Sequence, residues 1–372
     1  MRHRNGETNM AERVTIQDIA DALGLSRNTV SKAINNTGIL ADATREKILK
    51  KAIDMKYKQF SYATIAGLND KTAEPAPVPA SMPMEIALFS IGCIGNSHFS
   101  SSMLDDFQRE LSQLGYSFTV HRIHREDVDA LRLPGHYNKE KTAGIICVEM
   151  FDRKYSNMLC SLGTPVLFVD SPVIGTGDTL QADCLYMENK ANIRSFVREM
   201  VSRGKKRIGF IGEYLHCQSF FERYMGYREA LTLSGLPCPE ECCITDNKTD
   251  DLSDEAYQKY LASRIENMHS LPDIFICAND FVALDLLQAL KKLGIMVPED
   301  VWLCGFDDSP ESKVTTPSLT TIHIHSQIMG FSAVYLLISR IKEPSLNYRI
   351  MHTETSLIYR ESTADQTERR MT

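Results

Sequence analysis

One short segment carries residue types that together can read nucleic acid. From Ser26 to Lys32 the chain runs Ser-Arg-Asn-Thr-Val-Ser-Lys. At helical spacing Val30 and Ile34 turn one way, while Ser26, Arg27, Asn28, Thr29, Ser31 and Lys32 are offered outward. An arginine fork matches the edge of guanine and an asparagine amide that of adenine; serine, threonine and lysine suit phosphate oxygens. The elements that must hold this face lie just upstream. Thr15 followed by Asp18 is a capping-box arrangement, and Ile16, Ile19, Ala20 and Leu23 then share one apolar face. A small residue at Ala20 lets two helices cross closely, and Gly24 accepts the backbone angles of a sharp turn. The spacing Ala20, Gly24, Val30, Ile34 is that of a helix-turn-helix. Asp42 or Thr44 opens a third helix, with Ile48, Leu49, Ala52 and Ile53 recurring on one side.

Other groupings point to no chemistry of their own. The ten cysteines form no C-x-x-C pair; Cys238 precedes the adjacent Cys242 and Cys243, but no His or Cys group follows at zinc-site spacing. Reduced core thiols are expected, as in Ile145-Ile146-Cys147 and Phe275-Ile276-Cys277. His323 and His325 would face one side of an extended segment, and His121 and His124 are also close, yet neither pair has an identifiable third ligand. Gly92-x-x-Gly95 and Gly209-x-x-Gly212 follow apolar runs without completing a dinucleotide fingerprint. There is no phosphate-binding loop and no nucleophile elbow. Neither metal nor cofactor is expected, nor an enzyme.

Charge divides the chain. The 372 residues carry a formal net charge of −7. Residues 1–60, however, hold 11 Lys+Arg against 7 Asp+Glu, so a basic module of net +4 precedes an acidic remainder of net −11. No apolar run approaches the ~18–20 residues that span a bilayer. MRHRNGETNM also lacks the apolar segment of a secretory signal, so a cytoplasmic location away from membranes is expected. Residues 69–83 contain Pro75, Pro77, Pro79 and Pro83 and read as a semi-extended linker. Beyond them, apolar runs at 86–91, 118–121, 144–148, 166–170, 208–211, 274–277 and 302–305 alternate with helical patterns at 101–114, 189–203, 221–234, 254–267, 281–293 and 327–341. Such alternation implies parallel sheets with helices on both faces, here in two lobes. The expected fold is a small all-α helix-turn-helix domain (13–59), a hinge and linker (60–83), and a two-lobed α/β domain (84–361). Lobe 1 would take 84–183 and 324–352, lobe 2 would take 184–323 and 353–361, and a disordered tail would follow from 362 to 372.

Val14-Thr15-Ile16-Gln17-Asp18-Ile19-Ala20, Gly24-Leu25-Ser26 and Thr29-Val30-Ser31-Lys32-Ala33-Ile34-Asn35 resemble the DNA-binding headpiece of the LacI family of transcriptional regulators. The resemblance continues through Thr44-Arg45-Glu46-Lys47-Ile48 and Tyr57 and covers roughly residues 13–361. It implies a periplasmic-binding-protein-like sensor after the headpiece. It also implies a homodimeric repressor on double-stranded, palindromic operator DNA, gated by a small effector such as a sugar. Arg27 and Asn28 match the family's specificity positions and Lys32 its basic groove-facing position; Thr15 and Asn35 lie within the same matching motifs. The family's hinge helix inserts a leucine into the minor groove. Here Ala66 stands at that position, so either Ile65 or Leu68 substitutes or the central DNA bend is weaker. In the cleft the resemblance implies ligand contacts from His98, Phe99 and Ser100, from Arg223, from Asn279 with Asp280 capping the next helix, and from Asp307. The alternatives are the same dimer gated by a phosphoprotein coregulator, or a sugar-metabolising enzyme.

Overall fold

The computed structural model describes residues 14–34, 40, 42–55, 57, 85–91, 98–174, 179–246 and 253–365, with the side chains of residues 42, 43, 46, 49, 53, 54 and 98–101 excepted. The hinge and linker expected at 60–83 lie outside these residues, as do Asn35 and Ile65. The chain divides into two compact units, Met1–Val78 and Pro79–Thr372.

In the first unit, α1 (Ile16–Leu23), α2 (Arg27–Ile34) and α3 (Asp42–Asp54) follow the expected order. The capping box is complete: the Asp18 amide donates to Thr15 Oγ1 at 3.3 Å, and the Thr15 amide donates to Asp18 Oδ2 at 2.7 Å. Gly24 ends α1 at φ 65, ψ 32, a left-handed conformation that a Cβ would strain. Ser26 opens α2, its Oγ accepting from the Thr29 amide at 3.1 Å. Ile19, Ala20, Val30, Ala33, Ile34, Ile48, Ala52 and Tyr57 are buried, so the three helices share one small core.

The second unit begins with β1 (Glu85–Ser90), α4 (His98–Gln113), β2 (Ser117–Arg122), α5 (Arg125–Asp129), β3 (Thr142–Val148), α6 (Arg153–Cys160), β4 (Val166–Val169), β5 (Asp183–Met187) and α7 (Ala191–Ser202). It continues with β6 (Ile208–Ile211), α8 (Gln218–Leu233), α9 (Asp254–Glu266), β7 (Ile274–Cys277), α10 (Asp280–Lys292), β8 (Trp302–Cys304), α11 (Pro310–Val314), β9 (Thr321–Ile324), α12 (Ser326–Lys342), β10 (Ile350–Thr353) and β11 (Thr355–Ile358). One parallel sheet has the order β10-β5-β4-β3-β1-β2 and another the order β6-β7-β8, while β9 and β11 pair antiparallel. The central strands are buried along nearly their whole length, which is why they read as unbroken apolar runs.

Two expectations are corrected. The lobe boundary placed at 183/184 falls instead after Met187, because β5 pairs with β4 and β10 in the first sheet. The strand was hidden by its opening residue: Asp183 is 1% exposed, yet it is held by Arg340 and Arg349. The first residues of the tail expected from 362 are instead held in the fold. Ser362 Oγ donates to the Leu303 carbonyl at 2.6 Å, Thr363 pairs with Thr320 at 2.7 Å, and both residues are buried.

Candidate functional site

Two surfaces gather the expected residues, one in each unit. On the first, Val30, Ala33 and Ile34 fix α2 to the core, which turns Arg27, Asn28 and Lys32 outward as exposed side chains. Ser31 is half-buried beside them. Thr15, Ser26 and Thr29 lie at the helix starts: the Thr15 and Ser26 hydroxyls serve as caps, and Thr29 Oγ1 lies 2.8 Å from Ser26 Oγ. A phosphate oxygen accepts, so a capping hydroxyl can bind it only through its proton; Thr15 Oγ1 already donates to Asp18 Oδ2 at 2.7 Å, whereas the Ser26–Thr29 pair uses one of its two protons and keeps the other for backbone contact.

The second surface is the cleft at the carboxyl ends of the strands in the two-lobed unit, where ligands bind in open α/β sheets. Arg223, on the first turns of α8, is 3% exposed. Its Nε donates to Asn189 Oδ1 at 3.0 Å and one terminal nitrogen donates to the Ala278 carbonyl at 2.6 Å. The other terminal nitrogen lies 3.5 Å from Asp307 Oδ1. The guanidinium centre sits 3.6 Å from the centroid of the Phe306 ring and 5.6 Å from that of Phe220. Asn189 completes the clamp by donating to Glu222 Oε2 at 2.8 Å. Arginine only donates, so Asn189 must turn its oxygen to Arg223 and its amide nitrogen to Glu222.

Asp307 follows β8 at φ 112, and Glu149 and Asp170 end β3 and β4 at φ 55 and φ 60. Three acidic residues in the left-handed region at strand ends mark backbone that the fold holds in place at an energetic cost. The surroundings of Asp307, although a fifth of its side chain opens to the cleft, push its carboxyl up to about 7 by burial; Arg223 opposes this, while Asp280, Glu149 and Asp170 add to it. Burial also raises Asp170, against hydrogen bonds from Ser171, Cys217 and Ser219. Its carboxylate accepts from the Ser219 amide at 3.1 Å and so satisfies the start of α8 from the opposite lobe. An aromatic chain also crosses between the lobes, from Phe151 to His216 at 5.0 Å and on to Phe220 at 5.2 Å.

The structure brings Arg223 and Asp307 together. Asn279 is half-buried, and its Oδ1 accepts from the Val282 amide at 2.9 Å, so Asn279 caps α10 and keeps its amide nitrogen for another contact. The capping role expected of Asp280 is therefore corrected. Asp280 is fully buried and accepts from Thr321 Oγ1 at 2.6 Å and the Ser309 amide at 2.8 Å. Gly305 is required beside it, since a Cβ there would meet Asp280 Oδ1 at 2.1 Å. His98, Phe99 and Ser100 open α4, and their side chains lie outside those described. Asn189, Asp170 and Glu149 were missed. The signal for the last two was an acidic residue directly after an apolar strand, in Val148-Glu149 and Val169-Asp170. His323 on β9 and His325 at the start of α12 bond to Asp308 and Ser356, at 2.9 Å each.

Residues 15–59 match the family model of bacterial regulatory proteins of the lacI family, and residues 197–363 match that of the periplasmic binding protein-like domain. Among curated proteins, the HTH-type transcriptional repressor PurR of Vibrio atlanticus is 25% identical over 355 residues, covering 93% of this chain and 97% of its own. The HTH-type transcriptional regulator CelR of Thermobifida fusca is 26% identical over 355 residues, covering 94% and 98%. Among solved structures, the CelR–cellobiose complex superimposes with a TM-score of 0.66 at 23% identity, covering 94% of this chain and all of that one. The lac repressor dimer bound to operator and the anti-inducer ONPF gives 0.62 at 21% identity, covering 95% and 100%. Headpiece, two-lobed sensor and matching relatives agree: the chain belongs to the LacI family of transcriptional regulators.

Proposed function

We propose that the protein is a cytoplasmic, non-enzymatic repressor that binds a palindromic operator as a homodimer and is gated by a neutral polyhydroxylated ligand, a sugar or close relative, in the interlobe cleft. The observation that carries the gating is the Arg223–Asp307 clamp stacked on Phe306 at the strand ends. Arg223 is already engaged by Asn189, Ala278 and Asp307, and Asp170 and Glu149 add negative charge nearby. A free anion would meet more carboxylates than cations, whereas hydroxyl groups can donate to carboxylates and accept from the guanidinium while a sugar ring lies on an aromatic face. The solved CelR complex with cellobiose supports this class.

Gating needs a ligand that binds one lobe arrangement better than another. The Asp170 contact with the start of α8 and the Phe151–His216–Phe220 chain tie the lobes at the ligand's edge, so occupancy would bias their separation. Recognition helices of a dimer must meet half-sites roughly 34 Å apart, and a modest rotation breaks that fit. A thermal-shift screen of dialysed protein against sugars, polyols, sugar acids and purines tests the cleft. A saturable shift with a neutral sugar or polyol is expected. Silence with every compound would favour a protein coregulator, and turnover of the hit would favour an enzyme.

Two outcomes follow from named groups. Arg27→Ala should relax discrimination at one operator base pair by about 1–3 kcal/mol, read as binding to matched and mismatched duplexes. Equal weakening on every sequence would show a phosphate role instead. Asp307 gives a pH dependence. Its carboxyl is raised to about 7, so it binds a proton in the folded chain at pH values where the unfolded chain has lost it. Its contribution to stability therefore falls as pH rises from about 4 to 7. Ligand hydroxyls donate to the ionised form. Ligand affinity should thus rise as pH increases from 6 to 8, by up to about tenfold per unit below the carboxyl's midpoint. Calorimetric titration reads it, and Asp307→Asn should flatten the profile.

A further inference from the structure

On the far side of lobe 2 from the cleft, the turn between α8 and the bridge of Ile244 with β6 brings together donors that the regulatory account does not use. The ligand atoms of Cys238, Glu240 and Cys243 all lie within 4.8 Å of one another, which no other group of three such residues achieves among the described residues. They form a funnel from solvent inward. Glu240 is exposed, Cys238 half-buried and Cys243 7% exposed. Both thiols converge on one phenol, with Cys238 Sγ 3.7 Å and Cys243 Sγ 3.5 Å from the Tyr227 oxygen. That phenol donates its own proton to the Ile208 carbonyl at 2.7 Å, so it can only accept from the sulfurs.

We infer that Cys238, Glu240 and Cys243 form a binding site for a thiophilic divalent cation of the zinc class, with water as the fourth ligand. Thiolate and carboxylate donors in tetrahedral geometry suit such an ion. Sulfurs at ~2.3 Å from one tetrahedral ion stand about 3.8 Å apart, so the side chains need to converge by only about 1 Å. The charge balances as well. Two thiolates and a carboxylate leave the occupied site one unit negative, and Arg228, 3.1 Å from Glu240 Oε1, supplies the compensating cation. Glu240 Oε2, 3.5 Å from the Tyr224 hydroxyl, is the oxygen that Arg228 leaves for the metal. Cation binding displaces one proton from each thiol to solvent. Cys242 does not take part. Its sulfur accepts from Arg207 Nε at 3.1 Å and lies 3.9 Å from the Ser270 carbonyl.

The site lies at the Ile208 end of β6, whereas the ligand residues gather at the opposite, carboxyl ends of the strands. Tyr227 follows Arg223 by one turn of α8, so a bound cation would tie the 238–243 turn to the helix that carries the clamp. The test is a titration of reduced, full-length protein with Co(II) under anaerobic conditions, followed by displacement with Zn(II). One equivalent with thiolate-to-metal charge-transfer absorption is expected, lost in Cys238→Ser and unchanged in Cys242→Ser. Glu240→Gln should weaken binding about tenfold. Absence of that absorption at saturating Co(II), or its persistence in Cys238→Ser, would overturn the assignment. So would its loss in Cys242→Ser.

Discussion

Replacing Arg223 with alanine is expected to abolish the ligand-induced thermal shift and to lower the unfolding free energy by about 3–5 kcal/mol, the usual cost of breaking a buried charged pair. The size follows from what is left behind. Asn189 Oδ1 and the Ala278 carbonyl lose their donor, and Asp307, already pushed up by burial, loses the Arg223 cation that opposes the shift. The Phe306 face is also uncovered. Arg223→Lys separates the two effects. A lysine keeps the charge but not the planar fork, so the fold should survive while ligand affinity falls at least about tenfold, roughly 1.4 kcal/mol. Chemical denaturation with and without ligand measures both. Retention of the full shift in Arg223→Ala would remove the clamp from the binding site.

The second large effect concerns the fold that carries the cleft. Asp183→Asn should cost about 3–5 kcal/mol, lowering the unfolding midpoint by roughly 10 °C for a unit of this size. Asp183 is 1% exposed and accepts from Arg340 at 3.0 and 3.1 Å and from Arg349 at 2.7, 2.8 and 3.3 Å. Arg340 is itself 4% exposed and also donates to the carbonyls of Pro344, Leu346 and Asn347, so one carboxylate organises the chain between α12 and β10. Burial alone would raise the Asp183 carboxyl, but the bonds from Arg340 and Arg349 outweigh it and hold the group below the ordinary carboxylate range. A depressed folded value means stability that is present above the unfolded pKa of about 3.9 and lost as pH falls through the folded one. The wild type should lose this contribution in acid, whereas Asp183→Asn should lack that part of the slope. Equal stability of the two proteins at pH 7 would show that the network contributes nothing.

The parts of the fold legible in the sequence are those whose cause is local. The Thr15–Asp18 box, the left-handed Gly24 and the buried Val30 and Ile34 act within a few residues, and each stands as the spacing implied. The buried strands could be read because burial on both faces leaves an unbroken apolar run. Strand β5 could not, since a buried Asp183 resembles a loop residue until arginines about 160 positions later arrive to pair with it. The cleft divides in the same way. Arg223 and Asp307 were named from their motifs, but Asn189 gains a role only when α8 packs beside it, and Asp170 only when α8 approaches from the other lobe. The exchange of roles between Asn279 and Asp280 is likewise tertiary: Thr321 and Ser309 claim the aspartate, which leaves its neighbour to cap the helix.

Charge gives the regulatory account its direction. A basic headpiece ahead of a sensor of net −11 should confine salt-dependent DNA contact to the exposed face of α2, because the acidic bulk is repelled by the duplex. The most direct test is selection of bound sequences from a pool of random duplexes by the full-length chain, with and without the neutral ligand found by thermal shift. The account predicts enrichment of one palindrome of two half-sites, altered recovery when the ligand is present, and a changed preference at one position of each half-site in Arg27→Ala. Recovery of no preferred sequence, or of one that neither Arg27→Ala nor the ligand alters, would contradict it.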